Sequence, residues 1–204
     1  MGDKFLDRIF GAKDPGTIRE LYESWASSYE DEIGESGYAT PARIAAALWK
    51  YLPDPEAPVL DYGCGTGLAG LALRAAGYRV IDGLDPSPKM LDRARDKGIY
   101  RKLDLLDLND KAPVKPGSYR AIVGCGVLGT GAAPPATFDV IMHALGRKGL
   151  FAFSYNDHAL EDRAYTGKLN DWLDCSAARL LFRAHGDHLP GINLKSTVYV
   201  IEKA

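Results

Sequence analysis

The chain has 204 residues, of which 46% are hydrophobic and 25% are charged, and this composition is typical of one globular domain with a substantial core. Its 25 lysines and arginines oppose 27 aspartates and glutamates, so the net charge is −2, which argues against a nucleic acid partner. The three cysteines lack CxxC spacing, which disfavours a zinc site or a disulfide framework and favours a reducing cytoplasm. The longest uncharged stretch, residues 121–138, contains four glycines and two prolines, so we expect no membrane span.

The N-terminal part of the chain changes character near residue 16. Residues 1–16 show no hydrophobic periodicity, and we expect a mobile lead-in there. Thr17 and Glu20 form a capping-box pattern, and apolar residues then recur at steps of three and four as far as Ile33. This pattern predicts one continuous amphipathic helix.

A second helix is predicted from Thr40-Pro41, which is an N-cap followed by proline at the first helical position. It ends before Pro53, because proline cannot continue a helix. We expect residues 17–204 to form a single domain, with residues 17–52 as its N-terminal helices.

A strand-then-helix rhythm follows. The predicted strands lie at 58–62, 79–84, 99–103, 119–125 and 148–155. The predicted helices lie at 68–76, 88–97, 135–145 and 158–173. Strands that alternate with crossover helices indicate an α/β fold, a doubly wound and mostly parallel sheet covered on both faces.

The C-terminal region breaks this rhythm. Residues 177–185 and 194–202 are two β-like runs with no helix between them. They are expected to pair as an antiparallel hairpin at one edge of the sheet. The prediction is therefore a seven-stranded sheet.

The most informative segment is Val59-Leu60-Asp61-Tyr62-Gly63-Cys64-Gly65-Thr66-Gly67, which runs from the first strand into a helix. In doubly wound folds, ligands bind outside the carboxyl ends of the strands. Glycines allow backbone N–H groups to approach a ligand closely, and the helix N-terminus favours negative charge. The segment therefore predicts a nucleotide-type site.

The type of nucleotide is a separate question. Gly65 to Gly70 matches GxGxxG, and Asp85 lies 20 residues beyond Gly65, which also suits a dinucleotide. Asp61, however, precedes the glycines, and a carboxylate there pairs with an ammonium group and repels a pyrophosphate. Asp85 suits two ribose hydroxyls, and Asp104 after the third strand suits an adenine amino group.

Together these residues resemble the first motif and ribose-binding acid of the class I S-adenosylmethionine-dependent methyltransferases, over roughly residues 17–155. The resemblance implies a Rossmann-like fold and S-adenosylmethionine as cofactor. In that family the glycine loop holds the methionine part of the cofactor and the segment after the fourth strand covers it. The implied cofactor-binding residues are Tyr38, Asp61, Gly63, Cys64, Gly65, Gly67, Asp85, Pro86, Ser87, Met90, Asp104, Leu105, Cys125 and Gly126.

A narrower resemblance is carried by the run from Leu21 to Glu30, by Tyr38 and Pro41, and by the run from Leu84 to Leu91. These segments look like the small methyltransferases named for the Williams–Beuren syndrome chromosome region. In this group the first helix closes over the cofactor.

The candidate catalytic residues are His158, Tyr29 and Asn156. His158 and Asn156 follow the fifth strand, where the acceptor is expected, and a histidine there is a candidate general base. Tyr29 shares a helical stripe with Tyr22 and Trp25, which suits core packing as well as a site. His185 and His188 flank the C-terminal turn and are expected to be solvated.

These observations predict methyl transfer from S-adenosylmethionine to a nucleophilic atom of a small molecule, with no nucleic acid, membrane or metal involved, in the cytoplasm. Two alternatives remain open at this point. One is an NAD-dependent oxidoreductase that uses Gly65 to Gly70, and the other is a non-catalytic partner protein that only binds S-adenosylmethionine. The sequence indicates neither the methylated atom nor the oligomeric state.

Overall fold

The computed structural model describes residues 14–26 and 28–204. Its helices are α1 (Pro15–Trp25), α2 (Tyr29–Glu35), α3 (Thr40–Tyr51), α4 (Leu68–Ala76), α5 (Pro88–Asp96), α6 (Thr137–Ala144), α7 (Asp157–Glu161) and α8 (Arg163–Asp174). Its strands are β1 (Val59–Tyr62), β2 (Ile81–Asp85), β3 (Lys102–Leu105), β4 (Ala121–Gly124), β5 (Leu150–Asn156), β6 (Ala178–Leu189) and β7 (Leu194–Lys203). A 3₁₀ turn, Pro190–Ile192, joins the last two strands.

Within the described residues the strands form one sheet in the order β3-β2-β1-β4-β5-β7-β6. Strands β1 to β5 pair in parallel, whereas β7 runs antiparallel to both β5 and β6. The predicted fold class, including the antiparallel C-terminal hairpin, is therefore confirmed. The strand order reverses between β1 and β4, and a ligand site is expected at the carboxyl ends of these strands.

The core lies on both faces of the sheet. On one face, Leu60, Ile122 and Phe153 belong to a cluster that includes side chains of α6 and α8. On the other face, Val59 and Val123 belong to a cluster with side chains of α3 and α4. Four-residue strands with every residue buried are what a parallel sheet covered by helices requires.

The N-terminal helices depart from the predicted boundaries. The predicted continuous helix is two helices, because α1 ends at Trp25 and α2 begins at Tyr29. The N-cap of α1 is Asp14, whose Oδ2 accepts a hydrogen bond from the Thr17 backbone N–H at 2.8 Å, so the capping box predicted at Thr17 was wrong. The expected lead-in falls mostly on residues 1–13, which lie outside the described residues.

A third apolar cluster joins the two ends of the chain. Trp25 of α1 and Ile33 of α2 pack with Leu189 and Leu194, which flank the turn between β6 and β7. This cluster holds the N-terminal helices against the far end of the C-terminal hairpin, next to the carboxyl ends of the parallel strands.

No helix in the described part of the chain is long and apolar enough to cross a membrane.

Two helical glycines provide a matched test of this packing. A Cβ atom added to Gly70 in α4 would lie 2.3 Å from the Tyr100 hydroxyl, whereas one added to Gly167 in α8 would meet no atom within 4 Å. We expect Gly70→Ala to lower the free energy of unfolding by about 1–3 kcal/mol through overpacking. Gly167→Ala should raise it by about 0.5–1 kcal/mol, because alanine is the better helix former.

Denaturant unfolding followed by circular dichroism measures both changes. Equal effects of the two substitutions would contradict the close packing of α4 against Tyr100.

Candidate functional site

A cavity of about 300 Å³ opens at the carboxyl ends of β1, β2, β3 and β4, and we call it the large cavity. This volume is in the range of small-molecule sites. Helices α1 and α2 close one side of it with Ile18, Tyr22 and Tyr29. The strand ends contribute Gly63, Gly65, Asp85, Pro86, Ser87, Met90, Leu106, Asp107, Cys125 and Gly126.

Asp85 is the central polar group of the large cavity. Its Oδ2 accepts a hydrogen bond from the Gly65 backbone N–H at 2.8 Å, and its Oδ1 accepts one from the Ser87 N–H at 2.9 Å. Burial raises the pKa of Asp85 to about 6, although both backbone hydrogen bonds oppose the rise. The carboxylate is thus fixed in place while it lines the cavity, as the acceptor of two ribose hydroxyls must be.

The glycine loop requires glycine for two different reasons. Gly63 has a φ of +69°, and a Cβ atom there would lie 2.6 Å from Cγ2 of Val127. Gly65 has a φ of +53°, and a Cβ atom there would meet nothing within 4 Å. The loop is therefore packed on its Val127 side and open at Gly65, as a loop that holds a ligand by its backbone requires.

Ser87 and Met90 lie where the sequence indicated. Ser87 Oγ accepts a hydrogen bond from the Met90 backbone N–H at 3.3 Å and caps α5, with Pro88 in its first turn. Met90 lines the large cavity and is buried from solvent. Its thioether therefore offers an apolar surface of the kind that packs on a flat base.

Asp61 is placed differently from the predicted ammonium ligand. It does not line the large cavity, and its Oδ2 accepts a hydrogen bond from the Tyr100 hydroxyl at 2.7 Å. Burial raises the pKa of Asp61 to about 7, against this hydrogen bond. Its Oδ1 is buried and has no hydrogen-bond partner among the described residues. An unpartnered carboxylate oxygen behind the glycine loop has the chemistry to accept from an ammonium group.

The two residues predicted to contact adenine, Asp104 and Leu105, both belong to β3. Asp104 lies inside β3 with its carboxylate 2.5 Å from the Lys102 ammonium, and Leu105 is 60% exposed, so neither lines the large cavity. Leu106 and Asp107 line it instead. The sequence has an aspartate at each end of the pattern Asp-Leu-Leu-Asp. The pattern alone does not show at which residue β3 ends, and so does not show which aspartate lines the cavity.

The cysteines occupy two different environments. Cys125 lines the large cavity, and its Sγ lies 3.4 Å from the Tyr38 hydroxyl. Burial raises the pKa of the Cys125 thiol to about 12, so it is a poor nucleophile. Cys64 and Gly67 lie in the glycine loop without lining the cavity, and Cys64 is buried against Gly83.

A second, smaller cavity of about 60 Å³ adjoins the first, and we call it the aromatic pocket. It shares Tyr22, Tyr29, Tyr38, Gly126 and Ala132 with the large cavity. Its remaining lining consists of Trp25, Ile33, Leu128, Gly129, Thr130, Ser154, Asn156, His188 and Leu189. Of the predicted catalytic residues, Tyr29 and Asn156 line this pocket. His158 is exposed on α7 and lines neither cavity in the described part of the chain.

His188 contradicts its predicted environment. The side chain is 8% exposed, not solvated, and its Nδ1 lies 2.7 Å from the Thr40 hydroxyl. Burial and the Arg43 charge lower the pKa of His188 to about 4, so the imidazole is neutral. Thr40, predicted to be an N-cap, is instead the first residue of α3 and directs its side chain at His188. The contact joins residues 148 positions apart, and no local pattern announces it.

Comparison with known proteins identifies the family of this chain. A family model described as a methyltransferase domain matches residues 36–195. The chain belongs to this methyltransferase family. It is 34% identical over 127 residues to methyltransferase-like protein 27 of Homo sapiens, a match that covers 61% of this chain and 52% of that protein. A solved S-adenosylmethionine-dependent methyltransferase from Leishmania major has a TM-score of 0.67 at 18% identity, covering 98% of this chain and 87% of that one.

These matches confirm the predicted class I methyltransferase of the Williams–Beuren-like group and S-adenosylmethionine as its cofactor. They decide against the dinucleotide interpretation of Gly65 to Gly70. The chain spans about half the length of methyltransferase-like protein 27, and smaller shares of other curated relatives.

The expected partners were wrong. A small-molecule acceptor and no nucleic acid were predicted, but the relatives include 18S rRNA (guanine-N(7))-methyltransferase of Bos taurus, 41% identical over 70 residues, which are 34% of this chain and 25% of that protein. The exclusion of nucleic acid relied on the net charge of −2, which measures the electrostatic field of the whole chain. A single base is held by stacking and a few hydrogen bonds, which net charge does not report.

Asp107 and Asp104 give a matched pair for the base end of the large cavity. We expect Asp107→Asn to weaken the binding of S-adenosylhomocysteine by about 1 kcal/mol, because one hydrogen bond is weakened. Asp104→Asn, three residues earlier and within β3, should leave binding unchanged. Isothermal titration calorimetry measures both, and a loss confined to the Asp104 variant would return the adenine contact to β3.

Asp85 predicts how cofactor binding depends on pH. The pKa of Asp85 is raised to about 6, and the ribose hydroxyls need its ionised form, so affinity is full above this pKa and is lost as the pH falls through it. S-adenosylhomocysteine should bind about ten-fold more weakly at pH 5 than at pH 8. Asp85→Asn should bind weakly at pH 8 and respond less to pH. An affinity that is constant between pH 5 and pH 8 would contradict this role.

Proposed function

We propose that this chain transfers the methyl group of S-adenosylmethionine to a ring nitrogen of a purine in RNA, with guanine N7 as the acceptor atom. Two lines of evidence support the proposal. The first is the relatives whose names specify guanine-N(7) methylation of 18S rRNA. The second, which carries the proposal, is the composition of the aromatic pocket beside the large cavity.

The aromatic pocket suits a flat ring. Its lining includes Tyr22, Trp25, Tyr29 and Tyr38, which are brought together by α1, α2 and the segment before α3. Trp25 stacks on Tyr22 with ring centroids 5.9 Å apart and meets Tyr29 edge to face at 4.7 Å. Aromatic side chains of this kind hold a base that has left its stack, whatever the charge of the surrounding surface.

The pocket also suits an acceptor that carries no proton on the attacked atom. Among the described residues that line it there is no aspartate, glutamate, lysine or arginine, and His188, with its pKa lowered to about 4, is a weak base. Guanine N7 has a free lone pair, so its methylation needs no proton removal. The ring then carries a positive charge, and the faces of aromatic rings stabilise such a cation.

When bound, S-adenosylmethionine supplies a methyl group already activated by its sulfonium charge. The protein then acts mainly by positioning. Asp85 would hold the ribose and the glycine loop the methionine part, on the large-cavity side of the boundary between the two cavities. Tyr22, Tyr29 and Tyr38 line both cavities at this boundary and exclude water from the path between donor and acceptor.

A methyl-transfer assay tests the proposed acceptor. The full chain is incubated with tritiated S-adenosylmethionine and an RNA transcript, and the label is followed into nucleosides. We expect 7-methylguanosine from the guanine transcript and no label in a transcript in which 7-deazaguanine replaces guanine, because that base lacks the attacked nitrogen. Asp85→Asn is the matched control, with its transfer lowered by weaker cofactor binding.

Label that persists in the 7-deazaguanine transcript would exclude N7 as the acceptor atom. Label that enters only a protein or metabolite fraction, with the wild-type chain able to bind S-adenosylhomocysteine, would contradict RNA as the substrate.

A further inference from the structure

A chain of polar side chains beside the aromatic pocket links α3 to the C-terminal hairpin. Arg43 Nη1 lies 2.9 Å from Ser196 Oγ, Ser196 Oγ lies 2.9 Å from Thr40 Oγ1, and Thr40 Oγ1 lies 2.7 Å from His188 Nδ1. Thr40 and Ser196 are fully buried. Methyl transfer as described above uses none of these four residues.

The direction of each hydrogen bond follows from chemistry. A guanidinium has only donors, so Arg43 donates and Ser196 Oγ accepts. Both hydroxyl groups are buried, and no other acceptor for their hydrogens is found among the described residues. The arrangement that leaves neither hydrogen unpaired directs the Ser196 hydroxyl to Thr40 Oγ1 and the Thr40 hydroxyl to His188 Nδ1. Because Nδ1 accepts, the proton of the neutral imidazole is on Nε2.

Arg43 is itself fixed in its donor role. Its guanidinium also donates to the backbone carbonyl oxygens of Ala184 at 2.8 Å and Asp187 at 2.7 Å. These two contacts fix Arg43, the first residue of the hydrogen-bonded chain, to the backbone of β6. The charged groups that act on His188 are Arg43 of α3 and Asp157 of α7. Burial and the Arg43 charge lower the pKa of His188 to about 4, and the Asp157 carboxylate acts in the opposite direction.

Two other polar side chains of the pocket, Asn156 and Ser154, also have hydrogen-bond donors to offer an occupant. Asn156 Oδ1 accepts from the Ala159 backbone N–H at 2.9 Å, which leaves its NH₂ group for the pocket. Ser154 Oγ accepts from the Gly126 N–H at 3.1 Å, which leaves its O–H hydrogen. The structure shows no hydrogen bond from His188 Nε2 within the described residues, so this N–H is also available to an occupant of the pocket.

We propose that His188, held as the Nε2–H tautomer by the relay from Arg43 through Ser196 and Thr40, donates a hydrogen bond to a ring carbonyl oxygen of the acceptor and so selects carbonyl-bearing purines. This inference rests on the proposed function, because it names what the same pocket recognises. Guanine and hypoxanthine carry a carbonyl oxygen beside N7. Adenine carries an amino group there, and an amino group facing an N–H donor is rejected.

The tautomer is tested on the full chain without any acceptor. Long-range ¹H–¹⁵N correlation spectra of histidine-labelled protein report which ring nitrogen carries the proton. We expect the Nε2–H form for His188 between pH 5 and pH 8, and a mixture of tautomers in Thr40→Val. An Nδ1–H form in the wild-type chain, or an imidazolium at pH 6, would overturn the relay.

Recognition of the carbonyl is tested by adding nucleotides to the same labelled protein loaded with S-adenosylhomocysteine. Guanosine 5′-monophosphate should shift the His188 Nε2 resonance, whereas adenosine 5′-monophosphate and the 2-aminopurine ribonucleotide, which lack the carbonyl, should not. Equal shifts with all three, or none with guanosine 5′-monophosphate, would overturn the proposed selection. This result is independent of methyl transfer, so it separates failure of the inference from failure of the proposed RNA substrate.

Variants of His188 complete the test. His188→Asn keeps a polar atom near the Nδ1 position but withdraws the donor, and we expect it to weaken guanosine 5′-monophosphate binding about ten-fold. His188→Gln places an amide N–H near the Nε2 position and should recover most of that loss. His185→Asn, an exposed histidine on the same strand, is the control and should change nothing. If His188→Asn and His188→Gln behave alike, the donor is not what the acceptor contacts.

Discussion

The site depends on one carboxylate that accepts two backbone N–H groups from two different loops. Asp85, at the end of β2, binds Gly65 of the first loop and Ser87 at the start of α5. Burying a charge is costly unless hydrogen bonds compensate it, and these two bonds do so only while both loops keep their shape. The positions of the glycine loop and of the α5 cap are therefore coupled to the carboxylate that we propose as the ribose acceptor. Burial raises the pKa of Asp85 despite these two hydrogen bonds, so further hydrogen-bond donors would stabilise its ionised form.

The two cavities are assembled from opposite ends of the chain. The loops after the parallel strands and helices α1 and α2 line the large cavity, whereas the aromatic pocket also needs the ends of β5 and β6. The apolar contact of Trp25 and Ile33 with Leu189 and Leu194 holds those parts together. The N-terminal helices therefore line both cavities, whereas the C-terminal hairpin lines the aromatic pocket and not the large cavity among the described residues.

Much of the fold and of the cofactor site follows from local sequence signals. Alternating strands and helices, the glycine loop and the Ser87-Pro88 cap each occupy a short stretch, so the sequence predicted them correctly. The adenine contact was predicted at Asp104 because the third strand was predicted to end at residue 103, and only the pairing of β3 with β2 shows that the strand continues to Leu105. The break between α1 and α2 interrupts a stripe of apolar residues that has no proline or glycine at that point.

The acceptor side could not be predicted in this way. His188 is buried by contact with Thr40 and by an edge-to-face contact with the Tyr38 ring, 5.2 Å between centroids, and both partners are far from His188 in the sequence. The net charge likewise does not indicate a pocket lined by aromatic rings. These features arise from tertiary packing, which local patterns do not contain.

The crystal structure of the chain with bound S-adenosylhomocysteine tests the arrangement most directly. We expect the ribose hydroxyls within hydrogen-bonding distance of Asp85 and the sulfur atom at the boundary formed by Tyr29, Tyr38 and Gly126, facing the aromatic pocket. A sulfur atom that faces away from that pocket, or a ribose held by another residue, would contradict methyl transfer between the two cavities.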